Sequence, residues 1–309
     1  MMIALYPSYP SRPNEPDPAF GWEVQWAKKA GFKISFIDLE LQLGGDVILR
    51  KFPEGEHTVI YRGWLITPSD YLKLDTALAL KGCKLLESYE AYREAYEFPM
   101  WYARIMDETP LSVSYTGTPE LLPKRETFDL QAIAKDLQHH IKGAAIVKDF
   151  IKSRKQDWFD ACFIPDVRDE EMVIKVVSRF LDLMEGTLYG GLVFRQFEDF
   201  KRIGTHPKTK MPVVNEWRGF MLNGKLIYKA PYWASGNYDE AKEPDASVFE
   251  GIVAKANFVS PFIALDVAER DDNDGTWRTI EINSGGASGV PEGGDVKDFY
   301  QALGKAIQS

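Results

Sequence analysis

The chain is poor in the residues that build several common kinds of site. It has only two cysteines, Cys83 and Cys162. This argues against a disulfide framework or a cysteine-rich zinc site and fits a reducing cytoplasm. Its four histidines, His57, His139, His140 and His206, lack the spacing of a catalytic triad or a metal motif. The adjacent His139 and His140 read as a solvated part of a helix. No apolar run approaches the ~20 residues that a membrane span needs. The opening MMIALYPSYPSRPNEP has neither the basic start nor the long apolar centre of a signal peptide. The phosphate-binding P-loop, the glycine fingerprint of dinucleotide sites and the G-x-S-x-G nucleophile elbow are all missing. Positive charge is also in deficit: 37 Lys and Arg stand against 46 Asp and Glu, a net charge of −9. No general nucleic-acid or anionic-membrane partner is expected, though a local basic pocket remains open. There is no internal repeat and no low-complexity tract.

What is present has the balance of a folded protein, with 45 % hydrophobic and 27 % charged residues. A single core rarely grows past about 250–300 residues, so 309 residues imply two or three lobes. MMIALYPSY, FKISFIDL, HTVIYRGWLI and CKLLES read as short strands. Helical patterns separate them: AFGWEVQWAKKAG closes at Gly31, and SDYLKLDTALALKG has Ser69 as its expected N-cap. A proline-rich loop is expected from Pro10 to Pro18. This alternation predicts a small parallel sheet covered by helices. It stops near Pro99. RDEEMVIKVVSRFLDLMEG is the clearest amphipathic helix. GLVFRQFEDF, NEWRGFML, KLIYKAPYW, FIALDVAER and TWRTIEIN then read as strands joined by hairpins. Asn223-Gly224 is the strongest hairpin turn among them. The expectation is an α/β lobe over residues 1–95 and an α+β region with an antiparallel sheet over 96–309.

Chemistry concentrates in FIALDVAERDDNDGTWRTIEIN. Asp, Asn and Gly crowd into 271–275, so the turn belongs there. Centring it between Asn273 and Asp274 sets Asp266 opposite Glu281. Asn283, two residues further, shares that face. Opposed carboxylates repel, and a hard divalent cation relieves the repulsion. An all-oxygen set without His or Cys points to Mg²⁺ or Mn²⁺. A polar strand end beside a surface turn is the plain alternative. The glycine-rich loop from Ser284 to Gly289 would let backbone amides approach an anion.

An acidic metal site implies phosphate, and cations to hold it. Lys148 ends the strand AAIVK, with Lys152, Arg154 and Lys155 in the turn beyond. A turn at Asn223-Gly224 sets Arg218 opposite Lys229, a second like-charge pair that an anion would relieve. Long side chains snorkelling into solvent are the alternative for all of these. Arg62, at the end of VIYR, sits where open α/β sheets face their ligand crevices. It is expected either to bind a substrate carboxylate or to form a salt bridge between lobes. APYWASGNY is either a flap over the site or a packed surface loop.

In this order the features resemble the ATP-grasp superfamily, and most closely a small clade named for one arginine and two lysines. The resemblance rests on IVK, LVFRQFEDF, EWRGFMLNGKLIYKA, ALDVAE and TIEINSGG, with VIYRGWLI in the leading lobe. It implies a Rossmann-like pre-ATP-grasp domain over 1–95 and an ATP-grasp domain over 96–309. That domain would hold a lid subdomain at about 100–190 and a C-terminal sheet at about 191–309. The arginine and lysines are assigned to Arg218, Lys148 and Lys229. One departure from the pattern is Lys148-Asp149 in place of a lysine-proline pair.

The resemblance implies an ATP- and Mg²⁺-dependent ligase. A small-molecule or peptide carboxylate would take the γ-phosphoryl group, and an amine or other nucleophile would displace phosphate from the acylphosphate. Asp266, Glu281 and Asn283 would hold the metal. Lys148, Lys155 and Lys229 would meet ATP, with Gln196, Phe197, Glu198 and Asp199 around adenine and ribose. Arg218, Lys229 and Lys148 would be catalytic, and Arg62, Arg218 and Ser284 would meet the substrate. A small-molecule kinase on the same scaffold and a nucleotide-binding module without chemistry are the alternatives.

Overall fold

The computed structural model describes residues 2–39, 52–116, 123–272 and 274–308. The first lobe contains β1 (Met2–Tyr9), β2 (Arg12–Pro16), α1 (Gly21–Lys29), β3 (Lys33–Ile37), β4 (His57–Tyr61), α2 (Pro68–Ala79), β5 (Cys83–Leu85) and α3 (Tyr89–Tyr96). Strands β3, β1, β4 and β5 lie side by side and parallel. Their residues are apolar because helices and neighbouring lobes cover both faces. The expected proline-rich loop is partly a strand. β2 pairs antiparallel with the end of β1 at Ser8 and Tyr9, an edge position that tolerates residues without an N–H. The cap of α2 is Thr67 rather than Ser69. Its side chain accepts from the Asp70 N–H, and Pro68 starts the helix where no N–H is needed.

The second lobe holds α4 (Phe98–Ile105), β6 (Ser112–Thr116), α5 (Leu130–His140), β7 (Ala145–Asp149), α6 (Trp158–Ala161), β8 (Phe163–Ile164), α7 (Glu170–Leu183) and β9 (Gly191–Gln196). Its antiparallel sheet runs β6-β9-β7-β8. Helices α5 and α7 set Ile133, Leu137, Val173, Val176, Val177 and Phe180 against Val147, Leu192 and Phe194. His139 and His140 are exposed in the last turn of α5. Because β9 belongs to this sheet, the sheet extends past residue 190 to Gln196.

The third lobe holds β10 (Arg202–Thr205), β11 (Pro212–Val214), β12 (Glu216–Leu222), β13 (Lys225–Pro231), α8 (Ala246–Ala256), β14 (Phe262–Glu269), β15 (Trp277–Ser284) and α9 (Val296–Gln308). Its antiparallel sheet runs β13-β12-β14-β15. Asn223 and Gly224 turn the β12–β13 hairpin with φ of 49° and 78°, as a type I′ turn requires. The β14–β15 turn includes Asn273, which lies outside the described residues. One face of the sheet packs Met221, Leu265, Val267 and Ile282 with Phe249 and Ile252 of α8. The other packs Phe220, Leu222, Phe262 and Ala264 with Phe299 and Tyr300 of α9, and with Ala4 and Tyr6 of the first lobe. That second face turns polar toward one end, and the polar end opens onto a cleft.

Candidate active site

Side chains alternate along a strand, so the polar end of this face follows from spacing by two. On β12 it carries Glu216 and Arg218, on β14 Asp266, and on β15 Glu281 and Asn283. Asp266 pairs directly with Glu281 as expected, although the ladder shifts by one residue between Asp266 and Val267, and Asn283 pairs with Ala264 on the same side. Arg218 is the other neighbour of Asp266. Arginine and two acids therefore form one row across three strands.

Each acid in the row has its own cation. Arg218 donates to both oxygens of Asp266 at 2.7 Å, a two-pronged geometry that suits a planar guanidinium. Lys148, 3 % exposed, reaches from β7 to the Glu281 carboxylate at 2.6 Å. Burial would push Glu281 up, but Lys148 and Lys155 outweigh it and hold its carboxyl below the usual range. Burial likewise would lower the Lys155 ammonium, and the charges of Glu216, Glu281 and Asp266 raise it instead. Lys155 also lies 5.9 and 5.6 Å from the rings of Tyr232 and Trp233. Asp149, beside Lys148, is fully buried and accepts from the N–H groups of Ile151, Lys152 and Tyr189. A proline ring offers no such acceptor, so this aspartate builds the turn that follows Lys148.

A cavity of about 100 Å³ lies beside the row between the second and third lobes, with Glu216 and Ile280, neighbours of the row along their strands, in its lining. Gln196, Phe197, Glu198 and Asp199 line it at the crossing between lobes, together with Lys155 and Glu216. Trp158, Phe197, Met211 and Trp233 give it an apolar wall. The N–H groups of Gln196 and Phe197 are used within the protein, by Leu111 and Ala144 carbonyls. Glu198 is paired with Arg278. A second groove, on the far side of Trp233, ends at Arg218 and is lined by Tyr232, His206 and Glu292.

Three expected residues lie elsewhere. Lys229 does not oppose Arg218. The ladder slips between Phe220 and Met221, so Arg218 pairs with Ala230 and Lys229 with Gly219. This bulge turns Lys229 to the other face, where its ammonium donates to the Pro244 carbonyl at 2.6 Å and pairs with Glu243. Arg62 forms its salt bridge within the first lobe, to Glu23 of α1, and reaches the third lobe by hydrogen bonds alone. It is 2 % exposed and pairs with Glu23 at 3.0 Å. It also donates to the carbonyls of Gly285, Gly286 and Ser288. Ser284 is buried and donates to Glu87 at 2.9 Å. Glu87 also accepts from the Gly286 N–H at 2.9 Å, so an internal carboxylate already occupies the glycine loop. A Cβ at Gly286 would lie 2.5 Å from the Tyr61 carbonyl, which fixes glycine there.

Two further residues carry little signal in a strand pattern. Glu216 opens β12, and its alternation with Arg218 was the one available clue. Burial pushes its carboxyl up to about 7, and the Lys155 charge pulls the other way. Arg195 lies buried under the cleft and donates to Thr109 and to the Thr279 carbonyl.

The donor set of Asp266, Glu281 and Asn283 fits a hard divalent cation. It is all oxygen, doubly anionic and on one face. Arg218 and Lys148 balance the two charges and are long enough to turn toward a phosphate.

Residues 136–303 match an ATP-grasp domain, that of family 3 in the clade named for one arginine and two lysines. No curated protein sequence is detectably similar. Among solved structures, the D-cycloserine synthetase DcsG superposes with a TM-score of 0.61 at 14 % identity, covering 99 % of this chain and 100 % of that one. D-alanyl-alanine synthetase A from Vibrio cholerae gives 0.54 at 13 %, covering 100 % and 99 %. The ATP-grasp ligase PsnB, complexed with minimal precursor, Mg and ADP, gives 0.52 at 13 %, covering 99 % and 97 %.

Proposed function

The chain belongs to the arginine-and-two-lysine clade of the ATP-grasp proteins, and from that membership and the side chains of its cleft we propose an ATP- and magnesium-dependent ligase that joins a carboxylate to an amine or a related nucleophile. One observation carries the reading. Two carboxylates are opposed across a ladder, and each is held by a cation from a different direction, Arg218 from β12 and Lys148 from β7. Such a row serves stability poorly, because charges taken out of water regain little more than they lose. It suits a triphosphate and its metal, which exchange partners with the row.

Phosphoryl transfer asks a protein for positioning and charge neutralisation rather than covalent help. Magnesium, when bound, would take its oxygens from Asp266, Glu281 and Asn283 and neutralise phosphate charge. Lys148 and Lys155 lie beside the row and would hold the oxygens of a triphosphate. The apolar wall around Phe197 and Trp158 would take the base. Arg218 faces both the cleft row and the second groove. It would orient the acid substrate and stabilise the charge of the acylphosphate. Trp233, shared by cleft and groove, would keep water from that intermediate. DcsG, PsnB and D-alanyl-alanine synthetase A share the fold, and their names describe synthetases or a ligase.

The test is product analysis with panels of acids and amines. An acid labelled at its carboxylate oxygens should pass label to the released phosphate only when an amine is present. Phosphorylated product without any dependence on an amine would replace ligation by kinase chemistry.

A further inference from the structure

Away from the row, positive charge gathers on one hairpin. Residues 201–210, KRIGTHPKTK, hold Lys201, Arg202, Lys208 and Lys210 and no acid, in a chain of net charge −9. They form β10, its turn and the approach to β11, which together make a two-stranded sheet of their own. All four cations are exposed. Among the described residues the hairpin's one ion pair is Lys201 with Asp271, at 3.9 Å. The turn is held in one shape. The His206 ring accepts from the Thr209 N–H at 3.2 Å, and the Ile203 carbonyl accepts from the Asn237 N–H at 3.0 Å. A fixed frame of charges lowers the ordering cost of meeting a partner.

Beside this hairpin lies an aromatic pocket of about 270 Å³. Trp158, Phe163 and Phe197 line it, with Trp158 and Phe163 stacked at 5.4 Å and Phe163 and Phe197 edge to face at 5.2 Å. Phe159 of α6 also lines it and is 65 % exposed, and Arg202 and Lys210 come from the hairpin. Nearby acids do not cancel these cations. Asp157 is paired with Arg154 at 2.6 Å, and Asp160 with Arg179 at 2.8 Å. The pocket shares Trp158, Phe197 and Arg202 with the cavity beside the row, but Lys155, Glu216 and Ile280 line that cavity alone. Its size is at the low end for ligand sites and suits a single ring. The cations around it suit carboxylates on either side of that ring. We propose that hairpin and pocket dock an acidic peptide segment of a partner protein, with one aromatic side chain in the pocket and the neighbouring carboxylates on Arg202, Lys208 and Lys210. A nucleic acid suits the surface less well, because its closely spaced phosphates ask for a longer cationic track than one hairpin of an acidic chain. The proposal stands on this surface and does not depend on the nucleotide reading. His206 and Pro207 of the turn also border the groove at Arg218, so the docked segment would lie next to that groove.

The experiment is fluorescence anisotropy of the intact protein with a labelled peptide, Glu-Asp-Glu-Phe-Glu-Asp-Glu. The peptide should bind at low salt, and raising the ionic strength from about 0.05 M to about 0.5 M should weaken it at least tenfold, because exposed charges are screened. Replacing its Phe by Ala should weaken binding roughly tenfold, the loss of one buried ring. Phe159→Ser should do the same from the protein side. The double variant Lys208→Glu with Lys210→Glu should weaken binding by roughly tenfold or more, since two attractions become repulsions. These three side chains are exposed, so both variants should melt like the unaltered protein. The comparison of the Phe and Ala peptides on the unaltered protein needs no variant to fold. Absence of binding at low salt would overturn the proposal. So would equal affinity for the Phe and Ala peptides, which would reduce the hairpin to a diffuse charge. Tighter binding of a ten-residue oligouridine than of the peptide would also overturn it, in favour of a nucleic-acid partner.

Discussion

Arg218 and Asp266 face each other across neighbouring strands, joined by two parallel hydrogen bonds of 2.7 Å, with Glu281 directly beyond Asp266. The side chains are 12 % and 3 % exposed. Removing one partner leaves the other charge buried. Asp266→Asn should therefore lower stability by about 3 kcal/mol and abolish magnesium-dependent turnover. Glu281→Gln keeps the Arg218 pair, so it should lose at least about a hundredfold in turnover at a smaller cost in melting temperature. Urea midpoints and ADP release on both variants check this.

The lysines separate by face. Lys148 and Lys155 border the row, and Lys229 sits behind the sheet with Glu243. Lys148→Met and Lys155→Met should each reduce kcat/KM for ATP roughly a hundredfold, as expected for a lost charge contact to a transferring phosphate. Lys229→Met should stay within about threefold of the unaltered protein, since an exposed pair contributes little. Steady-state kinetics on the three variants decides it, and a large loss in Lys229→Met would return that residue to the site.

Arg62 is expected to be structural. It joins Glu23, Tyr300 and three carbonyls of the glycine loop. Arg62→Ala leaves Glu23 buried without its cation and should cost about 3–5 kcal/mol. In a double-mutant cycle, Glu23→Gln should recover part of that loss. A variant that melts normally but binds the acid substrate poorly would restore the substrate role.

Glu87 gives the glycine loop a pH dependence. Burial raises its carboxyl to about 7, above the ordinary value near 4.5, against the hydrogen bonds from Gly286, Ser284 and Ser260. The folded state thus holds a proton that the unfolded state has released between about pH 4.5 and 7. Stability contributed by this group is present below that window and falls as pH rises through it, by about 1.4 kcal/mol per unit at most. Glu87→Gln should remove that slope. Denaturant midpoints at pH 5 and pH 8, compared between the two proteins, measure it.

How much of this could be read in the sequence depended on local geometry. The Asp266–Glu281 pairing was reached from the Asp, Asn and Gly cluster that marks its turn, but the pairs nearest the turn are offset by one residue from that expectation and a shift beside Asp266 restores it. The Arg218–Lys229 pairing was not, because one extra residue at a bulge reverses a side chain, and Ile227 looks like any other strand residue. Lys148 was visible at the end of an apolar run. Arg62 was visible as a strand-end arginine, but its partners lie 39 and about 220–240 positions away and no spacing reveals them. Glu216 reads as the polar start of a strand until the cleft around it is known. The β13-β12-β14-β15 sheet followed from hairpin turns. The β6-β9-β7-β8 sheet did not, because its strands are joined by long connections and β9 was expected in the C-terminal sheet, and β2 was hidden by its prolines.

The central claim is that the opposed carboxylates hold a metal and the cations beside them hold a triphosphate. The most direct measurement is calorimetric titration of Mg·ATP into the unaltered protein and into Glu281→Gln. The account predicts micromolar binding that weakens at least tenfold when magnesium is withheld and again in the variant. Binding that is indifferent to both magnesium and Glu281, or no binding at all, would contradict it.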